Sequence, residues 1–457
     1  MLANSFNYNE TREKSADIVS QKQIDRPRGQ NSFSAGQKII WDMKRVPNSS
    51  MDMKNFYLSF KAISAGVGVL EGIGAYTFIS EMKVMTQNGV LIDHIKDFQN
   101  YMALALSLND DPDMGNPDVI GASPDDMCLT TGVDCSTQKE FCLPFNHSLF
   151  SCPRMLPMFA KVGLRIEWTL ANVESCLLAT GRANATYTIT DVKFNYPLLT
   201  MDEKTFSAHR SSVSNYHMDF QGLWSHAVSV PAGSISEVHT IPCRFSSVNT
   251  ITLLQAHAAD FILYTKMKFC TRMKNRLTSI QYNHRGSSYP KEALTCGTDD
   301  TDTNAARNAL NTSEMFLESV SAWKTINSQY YNNVGNTFVL RTANGDNTND
   351  SDFRNVSTTY NRENGGARTN FAAATTLQSA RNGTVGTFFT SQTFGSYKQP
   401  QLHKNLYSGL NTVSDDVYCD IKFGTGGVIA ESSFKYYVHY SASLVLDKNT
   451  LEWEVFN

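Results

Sequence analysis

The chain has 457 residues, of which 41 % are hydrophobic, enough for two domains with full cores. Charged residues make up only 18 % and the formal net charge is −3, so no overall positive field draws the molecule to nucleic acid. No run of about 20 apolar residues occurs to form a membrane-spanning helix, and the polar start MLANSFNYNETREKS predicts no secretory signal.

Aromatic residues reach 11 %, a composition that favours strands. Residues 1–32 lack periodicity and are expected to form a flexible arm. Their five basic side chains (Arg12, Lys14, Lys22, Arg26, Arg28) face four acidic ones (Glu10, Glu13, Asp17, Asp25), too even a balance to neutralise many phosphates. Strands are predicted at Gln37–Val46, Phe56–Ile63 and Phe78–Thr86, with a glycine-rich loop at 64–76. Asn88-Gly89 is a hairpin signal leading into 90–93. Ile95, Phe98, Tyr101, Met102 and Ala105 recur at helical spacing and predict one amphipathic helix over 94–108.

A loop rich in Asp, Pro and Gly is expected over 109–138. Strands return at 140–144, 161–170 and 185–196. KVGLRIEWTL puts Val162, Leu164, Ile166, Trp168 and Leu170 on one face, the cleanest alternation in the chain. Two packed antiparallel sheets are the natural way to bury so many short strands. Pro197 is expected to stop the last of them. Thr200-Met201-Asp202-Glu203 then reads as a helix start, and a domain boundary is placed there.

A second series of strands is predicted at 214–221, 225–230, 238–242, 249–255, 260–269 and 277–282. After a polar segment at 295–313, Met315, Phe316, Val320 and Trp323 form a helical stripe over 313–327, with Thr312 or Ser313 as cap. Residues 342–384 are dominated by Asn, Thr, Gly, Ala and Ser and read as an exposed excursion. Strands follow at 386–394, 417–423, 433–446 and 451–456. The order of elements repeats across the two halves although their sequences do not.

No constellation of residues predicts catalysis. His209, His217, His226, His239 and His257 fall in no metal-binding spacing and read as scattered core or surface residues. Asp110-Asp111-x-Asp113 and Asp299-Asp300-x-Asp302 lack the glycine and distal glutamate of a calcium loop. Gly66-x-Gly68 and Gly72-x-Gly74 precede no helix start of the dinucleotide-binding kind. Cys128, Cys135, Cys142 and Cys152 match no zinc spacing and read as buried or free thiols. Trp41, Trp168, Trp224, Trp323 and Trp453 are expected in core or interface packing rather than on a sugar platform. Arg272, Lys274 and Arg276 read as protection of a strand edge. No catalytic, cofactor-binding or metal-binding residue is therefore assigned.

Five stretches carry a likeness to a known family: SFSAGQKIIWDMKRVPNSSMDMKNFYLSFKAI at 32–63, CPRMLPMFAKVGLRIEWTL at 152–170, TYTITDVKFNYPLLTMDEKTFSAHRS at 186–211, VHTIPCRFSSVNTITLL at 238–254 and YYVHYSASLVLDKNTLEWEVFN at 436–457. In their order and spacing they resemble the double jelly-roll major capsid proteins of double-stranded DNA viruses. Within that group the likeness is to Polinton-like, adintovirus and virophage-type relatives of the adenovirus hexon lineage. The resemblance implies an all-β chain of two consecutive eight-stranded antiparallel jelly rolls with short inserted helices. Its parts would be an arm at 1–32, a first jelly roll at 33–198, a linker at 199–211 and a second jelly roll at 212–457 with a long polar loop near 342–384.

By function the resemblance implies a non-enzymatic major capsid protein located in the virion and assembled inside the host cell. Pseudo-hexagonal homotrimers would meet neighbouring trimers and tile an icosahedral shell. Penton and minor capsid proteins are the further partners implied, with the arm as a route to an internal membrane and no sequence-specific nucleic-acid contact. The residues alone also allow a carbohydrate- or receptor-binding β-sandwich, or a single jelly-roll capsid protein with a protruding domain.

Overall fold

The computed structural model describes residues 18–456, except 66–67, 72, 109–116, 122–130, 146–147, 153, 179–184, 263–267, 270–274, 276, 296–312, 327–388, 395–408, 425 and 429. The first half contributes β1 (Ile18–Asp25), β2 (Ser32–Ser34), β3 (Lys38–Asp42), β4 (Ser49–Met51), β5 (Tyr57–Ala65), β6 (Val69–Glu71), β7 (Ile79–Thr86) and β8 (Leu91–Lys96). Helix α1 (Phe98–Leu108) follows, then β9 (Thr131–Asp134), β10 (Lys139–Pro144), β11 (Leu156–Pro157), β12 (Leu164–Leu170), β13 (Leu177–Leu178) and β14 (Thr186–Met201). Helix α2 (Glu203–Ser212) leads into the second half. There lie β15 (Asn215–Val230), β16 (Ser236–Ile241), β17 (Val248–His257), β18 (Leu277–His284) and β19 (Ser287–Thr295). Helix α3 (Ser313–Ile326) precedes β20 (Thr390–Thr393), β21 (Val417–Phe423), β22 (Ser432–Asp447) and β23 (Trp453–Phe456).

Alternation decides which face of each strand is buried. In β12, Leu164, Ile166, Trp168 and Leu170 are buried while Arg165, Glu167 and Thr169 are half-buried. In β21, Val417, Cys419, Ile421 and Phe423 point inward. A one-residue slip in either strand would turn its whole apolar set outward, which fixes the register.

The strands form two sandwiches that share a sheet. A nine-stranded sheet runs β20-β17-β22-β15-β8-β7-β12-β3, with β23 added on β22. Its β3-β12-β7-β8 part faces a seven-stranded sheet of order β10-β5-β14-β4-β11, with β1 and β2 also paired to β14. Trp41 of β3 and Trp168 of β12 stack on Phe194 of β14 with centroids 4.9 and 5.5 Å apart. The β15-β22-β17-β20 part faces a four-stranded sheet of order β16-β21-β18-β19. Phe423 of β21 meets Phe434 of β22 there at 5.9 Å. The second sandwich is thus eight-stranded apart from β23. The first is enlarged by the short strands and by β1. A three-stranded sheet, β13-β6-β9, forms a ladder of its own and packs Leu70 and Leu177 into the same core. One cluster of buried apolar side chains continues through both halves.

Several expectations are corrected. Residues 18–25, expected in a flexible arm, form β1 and pair with β14 over all eight residues. The Asp25 carboxylate accepts hydrogen bonds from Trp41 Nε1 (3.2 Å) and Tyr196 Oη (2.9 Å), which anchors the end of the strand. Pro197 does not stop β14. It pairs with Lys22 inside the ladder, and its carbonyl accepts the Asp52 N–H at 3.1 Å. Where two strands were expected over 214–221 and 225–230, the single strand β15 runs from Asn215 to Val230 and passes Gly222 without a break. The expected glycine-rich loop holds β6 and a 3₁₀ turn at Gly74–Phe78. Residues 258–262 are also a 3₁₀ turn, where a strand was expected from 260.

Helix α1 starts at Phe98 rather than 94, because β8 runs to Lys96 and Asp97 makes the turn with φ +52°. The cap of α2 is the Asp202 carboxylate, which accepts from Lys204 N and Thr205 N. Strand β19 was not anticipated. The polar segment 342–384 and the acidic triplets at 110–113 and 299–302 lie outside the described residues.

Candidate functional site: the seam between the halves

The halves join where β15 lies beside β8, paired in parallel at the single bridge Trp224–His94. So short a ladder leaves most backbone groups at the junction to find other partners. Ser225 Oγ accepts the Lys96 N–H at 2.8 Å and donates to the Lys96 carbonyl at 2.9 Å. Asp93, also on β8, is 2 % exposed. It accepts from its neighbour His94 N (2.9 Å), from Leu223 N on β15 (3.4 Å), from Tyr440 Oη on β22 (3.4 Å) and from the Ser148 hydroxyl. Burial pushes its pKa up to about 7 despite these donors. A carboxylate removed from water is costly unless paired, and here four hydrogen bonds stand in for a counter-charge.

Higher along the seam, Lys435 of β22 places Nζ 2.8 Å from Asp97 Oδ1, and Tyr437 Oη donates to the Asp97 carbonyl at 2.9 Å. The Lys435 ammonium also lies 4.1 Å from the centre of the Phe261 ring, a cation–π contact. The two long helices converge on the same strand. Tyr101 of α1 and Trp323 of α3 flank the His439 ring at centroid distances of 5.7 and 5.8 Å. Burial lowers the His439 pKa to about 3, which keeps the ring neutral. At the far end, Phe159 packs edge-on against Phe206 of α2 and Tyr216 of β15. Trp453 Nε1 donates to the Val162 carbonyl at 2.8 Å, and Lys161 pairs with Glu452 at 2.7 Å.

The candidate residues of the sequence do not converge. Trp41, Trp168 and Trp323 are fully buried, and Trp224 and Trp453 pack partly buried against the same core. His239 is buried with Nδ1 2.6 Å from Tyr436 Oη, His226 stacks on Trp224, and His209 lies beside Tyr216. Cys135 and Cys152 are buried free thiols and Cys142 a half-buried one. Burial pushes Cys135 up to about 12, which makes it a poor nucleophile. The side chains of Cys128, His257, Arg272, Lys274 and Arg276 lie outside the described residues. An open cleft of ≈ 640 Å³ lies beside β1, bordered by Lys22, Lys54, Tyr57, Cys142 and Tyr196, and burial raises the pKa of its thiol. Among the described residues, no group of His, Cys, Asp or Glu is placed to hold a metal ion, and no helix is long and apolar enough to cross a membrane. The seam itself was missed. Its only trace in the sequence is polar residues inside apolar runs: Asp93 in VLIDHIK, and Lys435 and His439 in SFKYYVHYSASLVL.

No protein-family model matches the sequence, and no curated protein does. Solved structures do match. A subunit of the PBCV-1 virus capsid superposes with a TM-score of 0.58 at 10 % identity, over 98 % of both chains. The PBCV-1 protein VP54, in a crystal structure fitted into a reconstruction of the virophage Sputnik, gives 0.54 at 9 % identity, again over 98 % of both. The Faustovirus major capsid protein gives 0.52 at 8 % identity, covering 95 % of this chain and 92 % of that one. The chain has the double jelly-roll fold. Likeness at such low identity shows the architecture alone. In these terms the seam is the joint of the double jelly roll, and its polar groups hold the two sandwiches in one fixed relation.

Proposed function

We propose that this chain is a major capsid protein, located in the virion, whose homotrimers tile an icosahedral shell. One observation carries the reading: two similar sandwiches stand side by side on a shared nine-stranded sheet and a continuous core. A threefold ring of such subunits presents six comparable columns and fits a sixfold lattice position. That geometry needs a fixed angle between the sandwiches, and the buried seam supports one. The similarity to PBCV-1 and Faustovirus capsid proteins points the same way.

The jelly rolls are assigned to 33–198 and 212–457, joined through 199–211. Neighbouring trimers, penton and minor capsid proteins are the partners this role requires, and the residues before β1 are the candidate contact to an internal membrane. The test is the mass and outline of the purified chain, by light scattering and negative-stain microscopy. A particle of three chain masses with a hexagonal outline is expected. A monomer at every concentration overturns the proposal.

A further inference from the structure

Strand β1 is an edge. It pairs with β14 on one side, and among the described residues no strand pairs with the other. It bears three exposed aliphatic side chains, Ile18 (38 %), Val19 (56 %) and Ile24 (53 %). Free strand edges are commonly blunted by proline, bulges or several charges. Between Ile18 and Ile24 there is no proline, the ladder with β14 is unbroken, and Lys22 is the one charged residue. Asp25 is tied to Trp41 and Tyr196, so the strand is held on its own subunit and presents its outer edge.

The sequence of β1 also matches itself. Two antiparallel copies related by a twofold axis normal to the sheet pair residues whose numbers add to an even sum, because side chains alternate between the faces. Centred on Gln21, the pairing sets Ile18 against Ile24 of the other copy, twice. It also sets Val19 against Gln23, Ser20 against Lys22, and Gln21 against itself. Ile18 and Ile24 share one face of the strand, so each apolar pair closes on that face. Centred on Lys22, the pairing would set two ammonium groups opposite each other, which is disfavoured.

We infer that the free edge of β1 pairs with β1 of a second copy of this chain across a twofold axis, in the register centred on Gln21. The inference rests on the shell reading. One strand buries far less than the ~1,000 Å² of a stable interface, so the contact forms between subunits that other contacts already hold close, and it gains by repetition. It makes one sheet continuous from one subunit to the next by edge-to-edge strand addition.

Cysteine cross-linking tests it on the full chain, concentrated until it forms trimers and larger assemblies. In the twofold register the two Gln21 Cα atoms lie within about 4.5–5.5 Å, a distance a disulfide spans. Under mild oxidation, Gln21→Cys is expected to give a band of twice the chain mass above the wild-type background. Ser20→Cys and Lys22→Cys each alone are expected to give none, while a mixture of the two cross-links. Adding Ile18→Lys and Ile24→Lys to Gln21→Cys should abolish the band while trimers of unchanged size remain. Assemblies larger than the trimer in which Gln21→Cys gives no band, or in which all three single variants cross-link equally, overturn the inference alone. A chain that never associates overturns it together with the shell reading.

Discussion

Lys435 and Asp97, 338 residues apart in the sequence, meet at 2.8 Å across the seam. The pair is lopsided: the lysine side chain is 7 % exposed and the aspartate 39 %. Removing the aspartate strands a nearly buried ammonium, whereas removing the lysine leaves a carboxylate that water can reach. Asp97→Asn keeps a residue tolerant of the left-handed backbone at φ +52°, so its effect reports the lost charge. It is expected to cost about 2–3 kcal/mol, less than the ~3–5 kcal/mol of breaking a fully buried pair because solvent screens the Asp97 side. Lys435→Met, which leaves an apolar stem over Phe261, should cost less than half of that, and the double variant should be more stable than Asp97→Asn alone. Denaturant unfolding of all three checks the order. Equal losses for the two single variants would show that the charge pair is not what matters.

Asp93 gives the seam an opposite dependence on pH from most paired carboxylates. Its pKa is about 7 in the fold against 3.8 for an unperturbed aspartate. Between those values the folded chain keeps a proton that the unfolded chain has released. Stability from this group is therefore whole below about pH 3.8 and is lost as pH rises toward 7, by at most about 1.4 kcal/mol per pH unit. Asp93→Asn stays neutral throughout. Its stability relative to the wild type is expected to climb from pH 4 to 7 and then level off. Unfolding curves that keep a constant separation across that range would refute the assignment.

His439 acts in the other direction. Its ring is held neutral between Tyr101 and Trp323, with a pKa near 3 against 6.5 when unperturbed. The unfolded chain takes up a proton that the folded chain refuses, so stability is lost as pH falls from 6.5 toward 3. His239, lowered by burial to about 4, adds to the same acid sensitivity. His439→Leu should remove one proton's share of it: the slope of melting temperature against pH below 6 becomes shallower, whatever the change at pH 7. An unchanged slope would mean that the ring is protonated in the fold.

Regular alternation and helical spacing made part of the fold legible. Strands β12 and β21, the Asn88-Gly89 hairpin and helix α3 all fall where the spacing of Leu164, Ile166 and Trp168, of Val417, Cys419 and Ile421, and of Met315 and Trp323 puts them. Strand β1 was illegible because IVSQKQID is mostly exposed and owes its order to the ladder with β14 and to Asp25, not to burial. Pro197, and the break placed at 222–224 around Gly222, failed for a related reason. Each is a local breaker by propensity, yet tertiary pairing carries the strand through it. The seam could not be read from neighbours in the sequence, since Asp93, Ser225, Lys435 and Tyr440 meet only once both sandwiches exist.

Gly222 shows how tightly the seam is built. It sits inside β15, opposite Tyr440 in the ladder, and a β-carbon added there would lie 2.3 Å from Tyr440 Cζ. The backbone angle is ordinary, so the requirement is one of space and not of conformation. The Tyr440 ring has no slack on its other contacts: it stacks on Phe245 with centroids 3.7 Å apart, and its hydroxyl reaches Asp93. Gly222→Ala must therefore push the ring off Phe245, break its bond to Asp93, or move β15 away from β22. Overpacking of this kind typically costs about 1–3 kcal/mol. Pairing the change with Tyr440→Leu, which vacates the ring's space, should make the alanine close to neutral in that background. If the alanine costs the same with and without the tyrosine ring, the contact between the two residues is not the constraint, and the glycine serves some other feature of the strand.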